Sequence, residues 1–294
     1  MAAELCRREE VLMKTKKKIK IKPFNIINGL IFILIALLIL IPMWKVIVDS
    51  LDLRTAYGMK LFPERFGLDG YYTIFTNKAL YQPMIVSFVT TITGTIMGLI
   101  LSTLGAYVLI QFDMPGRNFF AAFLLFTMIF QGGMIPTYLV MRDLGLLNNL
   151  WGVILLPAIN IYNLVLMRNF FEGIPISLYE SAKLDGCSPM AIFIKIVLPL
   201  SKAALASIGL MFAVAYWNDY TNYKLYITRS ELYNFQMKLR SVIMGSDLPT
   251  ALGSATENTV KNAAVITAII PFMIVYPFCQ KYFVKGVNVG AVKE

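Results

Sequence analysis

The residues of this chain that could do chemistry are few, and most gather in one polar stretch, Pro175 to Pro199, PISLYESAKLDGCSPMAIFIKIVLP. Its carboxylates, Glu180 and Asp185, have no histidine to work with, because the chain contains none. The three cysteines, Cys6, Cys187 and Cys279, are odd in number, far apart and without metal-ligand spacing. A zinc site, a Cys/His nucleophile pair and a haem are therefore not expected, and no residue is assigned a catalytic or metal-binding role. The chain also lacks the G-x-x-x-x-G-K-S/T phosphate loop, so it is not expected to bind ATP in that way itself.

The stretch reads as two short helices joined by a sharp turn. Ser177 and Glu180 have the S-x-x-E spacing of a capping box, in which each side chain satisfies an orphan N–H of the first turn. Asp185-Gly186 reads as a helix stop, since glycine takes the left-handed conformation without a Cβ clash. Ser188-Pro189 restarts a helix, with Ser as N-cap and Pro at the first helical position, where its missing N–H is harmless.

The elements that must position this stretch are membrane spans. The 294 residues are 57% hydrophobic and 15% charged, with mean hydropathy +0.66, whereas soluble domains carry about 25% charged residues. A bilayer core needs roughly 20 apolar helical residues. Six runs qualify: 24–48, 83–110, 119–140, 151–171, 198–217 and 263–282. The first is too long for the core of a signal peptide and reads as a retained span. The net charge of +10 owes much to Arg7, Arg8, Lys14, Lys16, Lys17, Lys18, Lys20 and Lys22 in the tail 1–23. That is a positive-inside signal, not a nucleic-acid surface. The expectation is an all-α integral membrane protein with six transmembrane helices and both termini cytoplasmic. Residues 172–197 then form a cytoplasmic loop, 49–82 and 218–262 outer loops, and 286–294 a cytoplasmic tail.

The spans contain no Asp, Glu, Lys or Arg at their middles. Ion-coupled porters use such groups near the midplane, so the energy source is expected outside the chain. Neutral polar groups remain. Gln131, Asn160 and Asn163, with Trp217 and Asn218 at the outer end of the fifth span, are the expected solute-lining residues. Asn160 and Asn163 fall three apart, on one face if helical, and amide and aromatic groups suit the hydroxyls and ring faces of an uncharged sugar. Gln131-Gly132-Gly133, Pro136, Pro157, Pro271 and Pro277 interrupt the runs. The long outer loop interleaves tyrosines with Lys224, Arg229, Lys238 and Arg240, which favours a structured surface facing a partner or a sugar.

Glu180-Ser181-Ala182, Gly186 four residues on, then Ile196, Leu198 and Pro199 resemble the E-A-A, three residues, G, nine residues, I-x-L-P signature of the permease subunits of bacterial ABC importers. Only Ser181 departs from it. LFPERFGLDGYYTIF, Gly105-Ala106-Tyr107, MRNFFEGIP and QKYFVKGVNVGAVKE resemble the carbohydrate permeases of the maltose-type inner-membrane family, and QGGMIPTYLVMRDLGLLN resembles the oligosaccharide or polysaccharide branch.

This resemblance implies a type I ABC importer permease in the bacterial cytoplasmic membrane. It implies pairing with a second, related permease over two ABC ATPases, which hold the ATP and Mg²⁺. An extracytoplasmic sugar-binding protein delivers substrate, and alternating access passes it inward. No cofactor and no nucleic acid are implied for this chain. The signature stretch would couple to the ATPase through Tyr179, Glu180, Ser181, Ala182, Leu184, Asp185, Gly186 and Pro199. Tyr179, Ala182, Leu184 and Gly186 are expected to face it, and Asp185 to support the turn. The C-terminal tail from Gly286 would approach the ATPase pair. Three other readings stay open on the residues: a stand-alone porter or channel, a permease-like sensor, and an importer permease for a non-sugar solute.

Overall fold

The computed structural model describes residues 23–54, 58–111, 114–245 and 255–291. The basic tail, residues 292–294 and the side chains beyond Gln280 lie outside the described residues, and with them the expectations placed there.

Among the described residues the chain is helical, with one isolated antiparallel bridge, Asp52 to Phe66. Helix α1, Pro23–Leu51, is apolar all round and exposed over most of its length, as a helix facing lipid must be. A short α2, Asp69–Thr76, leads into α3, Lys78–Ile110, the helix around which the others gather. Then follow α4, Arg117–Ile129, α5, Met134–Asp143, α6, Leu150–Ala158, and α7, Ile161–Glu172. The polar stretch forms α8, Ile176–Leu184, and α9, Pro189–Leu200, which carries a π-helical segment over Phe193–Val197. Next come α10, Lys202–Trp217, α11, Thr221–Tyr226, and α12, Phe235–Ile243. The chain closes on α13, Glu257–Ala291.

Three helices are long and apolar enough to cross a membrane, at 24–51, 78–110 and 257–278, and the number rises to six if each of three bent pairs counts as one crossing. The bends fall where the sequence breaks its helices. Between α4 and α5 the axis turns by 112°. Gly133 there adopts φ +87°, and Pro136 in the first turn of α5 has no N–H to continue a helix from α4. The run 119–140 is therefore two helices rather than one rod. Between α6 and α7, after Pro157, the turn is 43°, and between α9 and α10 it is 81° at Ser201. Residues 198–200 thus belong to the element lying across the bundle end, and α10 begins at Lys202. Its 16 residues span roughly 24 Å at 1.5 Å per residue.

Close approach of α3 and α10 depends on small residues. A Cβ added at Gly94 would lie 2.4 Å from the Tyr216 ring. That ring is fixed from its far side, where its hydroxyl donates to the Ile154 carbonyl at 2.6 Å. At the end of the bundle opposite α8, the Thr259 hydroxyl in α13 donates to the Asp52 carbonyl just past α1. Helices α1 and α13 therefore run antiparallel, and the start of α1 lies at the same end as the far end of α13.

The described residues at that opposite end are tied together by hydrogen bonds. Asp52 is buried, and its carboxylate accepts the backbone N–H groups of Arg54, Glu64 and Arg65. Burial works to raise its pKa, but those three bonds, helped by Lys60, hold it below the ordinary carboxylate value. Its stabilisation is thus present above the unfolded-state pKa and is lost as pH falls through the lower folded-state pKa. Asn148 takes a positive φ of 54°. Its side-chain oxygen accepts from the Thr228 N–H at 2.7 Å, the Thr228 hydroxyl at 2.8 Å and the Arg229 N–H at 3.1 Å, joining the α5–α6 turn to the end of α11. Asn148→Ala removes that acceptor and strains the backbone. It is expected to cost about 1–2 kcal/mol, read as a lower melting temperature of the solubilised protein, with Asn148→Asp retaining most of the stability.

Candidate functional site

Helices α8 and α9 form a hairpin seated across one end of the bundle. Its turn is a Schellman motif: the Gly186 N–H donates to the Lys183 carbonyl and the Cys187 N–H to the Ala182 carbonyl, both at 3.0 Å. Gly186 supplies the required left-handed φ of +76°. Ser188 then caps α9, its hydroxyl accepting the Ala191 N–H at 3.3 Å, with Pro189 at the first helical position. The stop and the restart expected from Asp185-Gly186 and Ser188-Pro189 are both present.

The expected capping box is not. Helix α8 begins at Ile176 with Pro175 as its N-cap, and the first-turn bond runs from the Leu178 N–H to the Pro175 carbonyl. Pro175, with φ −56°, starts the helix two residues earlier than a Ser177 cap would allow. Ser177 lies inside the helix, and Glu180 projects from an exposed position on it. Ser181 and Asp185 are exposed, and Pro199 lies at the opposite corner of the element, exposed just before the 81° bend.

The inner face of the hairpin is locked into the bundle. Ala182, Ile192, Phe193 and Val197 are buried in one cluster with Ala106, Tyr107, Met167, Phe171 and Ile208. Each larger apolar side chain so buried contributes about 1.5–3 kcal/mol. Ala182 therefore packs inward, contrary to the expectation that it faces a partner: a helix this short with apolar residues at mixed spacing can place either face inward. Tyr179 is half turned inward too, its hydroxyl donating to the Phe171 carbonyl at 3.4 Å. Burial, reinforced by nearby Tyr107, pushes its phenol up to about 12, so it stays a neutral donor across physiological pH. Leu184, 89% exposed, and Gly186 are left at the tip.

Tyr107, quoted for the resemblance but not assigned a role, ties α3 to the hairpin. Its hydroxyl donates to the Pro189 carbonyl at 2.7 Å and its ring lies 4.8 Å from that of Phe193. The π-helical segment at Phe193–Val197 was also invisible in the sequence. It ends with the Leu198 N–H donating to the Phe193 carbonyl five residues back, immediately before Pro199, which has no N–H to donate. Displacing the tip must move α3, α7 and α10 with it, since the hairpin shares one packed cluster with all three.

Of the five expected solute-lining residues, three are exposed and two are buried. Gln131 is exposed at the α4–α5 break. Asn160 and Asn163 do not share a helical face: Asn160 is the exposed N-cap of α7, accepting the Asn163 N–H at 3.0 Å, while Asn163 is buried. Asn218 is exposed beyond α10, accepting from Gln236 at 3.4 Å. Trp217 is 2% exposed, its N–H donates to the Ala268 carbonyl at 3.0 Å, and Phe88 and Phe272 pack edge-on against it. It joins α10 to α13 and lines no surface of this chain. Trp217→Phe is expected to cost about 1 kcal/mol in thermal unfolding and to leave uptake unchanged. A large fall in uptake at unchanged stability would return Trp217 to the solute path.

Membrane-length helices wrapped around α3, with a rigid polar hairpin laid across one end, make the framework of a transport-protein membrane subunit. The chain belongs to the family described as binding-protein-dependent transport system inner membrane components, whose model matches residues 68–289. It is 43% identical over 272 residues to the polygalacturonan/rhamnogalacturonan transport system permease protein YtcP of Bacillus subtilis (strain 168), a match covering 89% of this chain and 95% of that protein. It is 39% identical over 279 residues to Protein LplC of the same organism, covering 92% and 95%. Its fold matches a chain from the crystal structure of a bacterial ABC transporter involved in the import of the acidic polysaccharide alginate, with TM-score 0.84 and 32% identity over 90% of this chain and 98% of that one.

Proposed function

We propose that this chain is one permease subunit of an ATP-driven importer that passes an oligosaccharide, acidic in character, from an extracytoplasmic binding protein into the cytoplasm. The observation that carries this reading is the hairpin: its inner face is locked into α3, α7 and α10, and its tip offers an exposed Leu184 beside the Gly186 turn. That is the form of a part that receives force from a separate motor. Two ABC ATPases, holding ATP and Mg²⁺, dock at this end, which is cytoplasmic together with both termini. Each bent pair counts as one crossing, giving six. A second, related permease completes the pathway.

The break at Phe130–Gly133 supports a pathway role for Gln131. Non-helical backbone is tolerated at membrane depth only where protein covers it or water fills a cavity beside it. These residues are exposed in the single chain, so in the assembly they face the second permease or the solute path. Alternating access follows if ATP and loaded binding protein both favour the outward-facing arrangement. The acidic class rests on the relatives named above, which handle polygalacturonan, rhamnogalacturonan and alginate.

Purification tests the reading. The tagged chain should recover a companion permease and an ATPase, and binding protein loaded with an acidic oligosaccharide should stimulate hydrolysis. A lone chain competent for uptake would overturn it.

A further inference from the structure

A cleft of about 260 Å³ opens between the end of α1 and the first turns of α13, lined by Lys45, Asp49, Arg54, Asn258, Thr259 and Asn262. Nothing in the coupling scheme uses it. It lies at the end opposite the hairpin, which the proposed orientation makes the outer face. The lining is polar on every side, in a chain whose surface is otherwise largely apolar.

Charge and hydrogen-bonding capacity at the cleft define what fits. Lys45 Nζ donates to Asp49 at 2.9 Å and to the Gly58 carbonyl at 2.8 Å, so these two charges cancel. The Thr259 hydroxyl is engaged with the Asp52 carbonyl. Arg54 is different. Among the described residues its ion-pair partner is Glu64, 3.9 Å away and beyond hydrogen-bond distance, and that carboxylate is held more closely by Lys60 at 2.6 Å. Among the described residues no hydrogen bond engages this guanidinium, so its planar fork can take a carboxylate in competition with the longer Glu64 pair. Beside it, Asn258 and Asn262 stand four apart on one face of α13. The Asn262 amide N–H donates to the Asn258 carbonyl, which leaves its side-chain oxygen to accept. The cleft is smaller than the roughly 300–1,000 Å³ of drug-sized sites, so it holds one ring rather than a chain.

We infer that this cleft is an outer-face subsite for one uronate residue of the incoming sugar, with Arg54 binding the carboxylate and Asn258, Asn262 and Asp49 matching ring hydroxyls. The inference rests on the proposed importer function and deepens it, because it places recognition of the acid group on the permease as well as on the binding protein. A neutral sugar would bring the guanidinium no carboxylate and should bind poorly.

The test uses the whole transporter in nanodiscs, without ATP or binding protein, and follows saturation transfer by NMR from protein to digalacturonate or to the neutral digalactoside. The expected result is transfer to digalacturonate, little to the neutral sugar, and an affinity about tenfold weaker in Arg54→Gln, the loss of one charge-assisted bond. Arg54 is exposed, so its variant should fold. Equal binding of both sugars, or digalacturonate binding unchanged by Arg54→Gln, overturns the subsite. So does an Arg54→Gln variant that loses affinity for unloaded binding protein while keeping digalacturonate, since the cleft would then be a protein contact. Stimulation of ATP hydrolysis by loaded binding protein, measured on the same preparation, separates the two readings: if it persists while the subsite fails, the importer function stands.

Discussion

Leu184→Asp should reduce sugar uptake by at least about 30-fold, the effect of losing 2 kcal/mol at a contact hot spot, while the permease itself folds normally. Leu184 is 89% exposed and makes no part of the core. Exchanging it therefore removes nothing that holds α8 to the bundle. It does remove the most exposed apolar side chain of the hairpin, two residues before Gly186 within the Schellman turn. If an ATPase covers this tip, a carboxylate there must be desolvated without a partner, which is costly in an apolar interface. The readouts are uptake in proteoliposomes and recovery of the ATPase with the tagged chain. Both should fall together, with the thermal unfolding of the solubilised permease unchanged and Leu184→Met close to wild type. Wild-type uptake by Leu184→Asp would show that the motor acts elsewhere.

Gly94→Val should prevent the chain from accumulating in the membrane. The new side chain would meet the Tyr216 ring, whose atoms lie 2.4–2.6 Å from an added Cβ. Tyr216 is 3% exposed and cannot retreat without giving up its 2.6 Å bond to the Ile154 carbonyl. The alternative is to force α3 and α10 apart along their length. Overpacking alone costs about 1–3 kcal/mol, and an unpaired buried hydroxyl adds about 1–3 kcal/mol. Together these rival much of the stability of an ordinary domain. Membrane levels of the variant, followed by immunoblot, should drop severely. Removing the ring in a Gly94→Val, Tyr216→Ala double variant should restore part of the loss. Normal levels of Gly94→Val would contradict this packing.

What the sequence disclosed follows from which signals are local. Long apolar runs mark membrane helices because the bilayer demands length, and the Gly186 stop is legible because a positive φ has few other occupants. The breaks at Gln131-Gly132-Gly133 and Pro157 were visible as residues, but the angles of 112° and 43° were not, since those depend on what packs against each half. The capping-box reading failed because Ser177 and Glu180 satisfy the spacing while Pro175 starts the helix first. Which way Ala182 points, and that Trp217 joins α10 to α13 instead of facing solute, are tertiary facts. No spacing in a nine-residue helix or at the end of a span encodes them.

The claim that the hairpin receives the motor can be tested at one atom. Cys187, exposed immediately after Gly186, offers its thiol at the tip. In a Cys6→Ser, Cys279→Ser background, benzophenone-maleimide would be attached to Cys187 in inside-out vesicles and irradiated. A photoadduct between this chain and the ATPase is expected, absent when Cys187 is also replaced by Ser. Adducts with the extracytoplasmic binding protein, or labelling of Cys187 by an impermeant maleimide in intact cells, would put the hairpin on the wrong side of the membrane and contradict it.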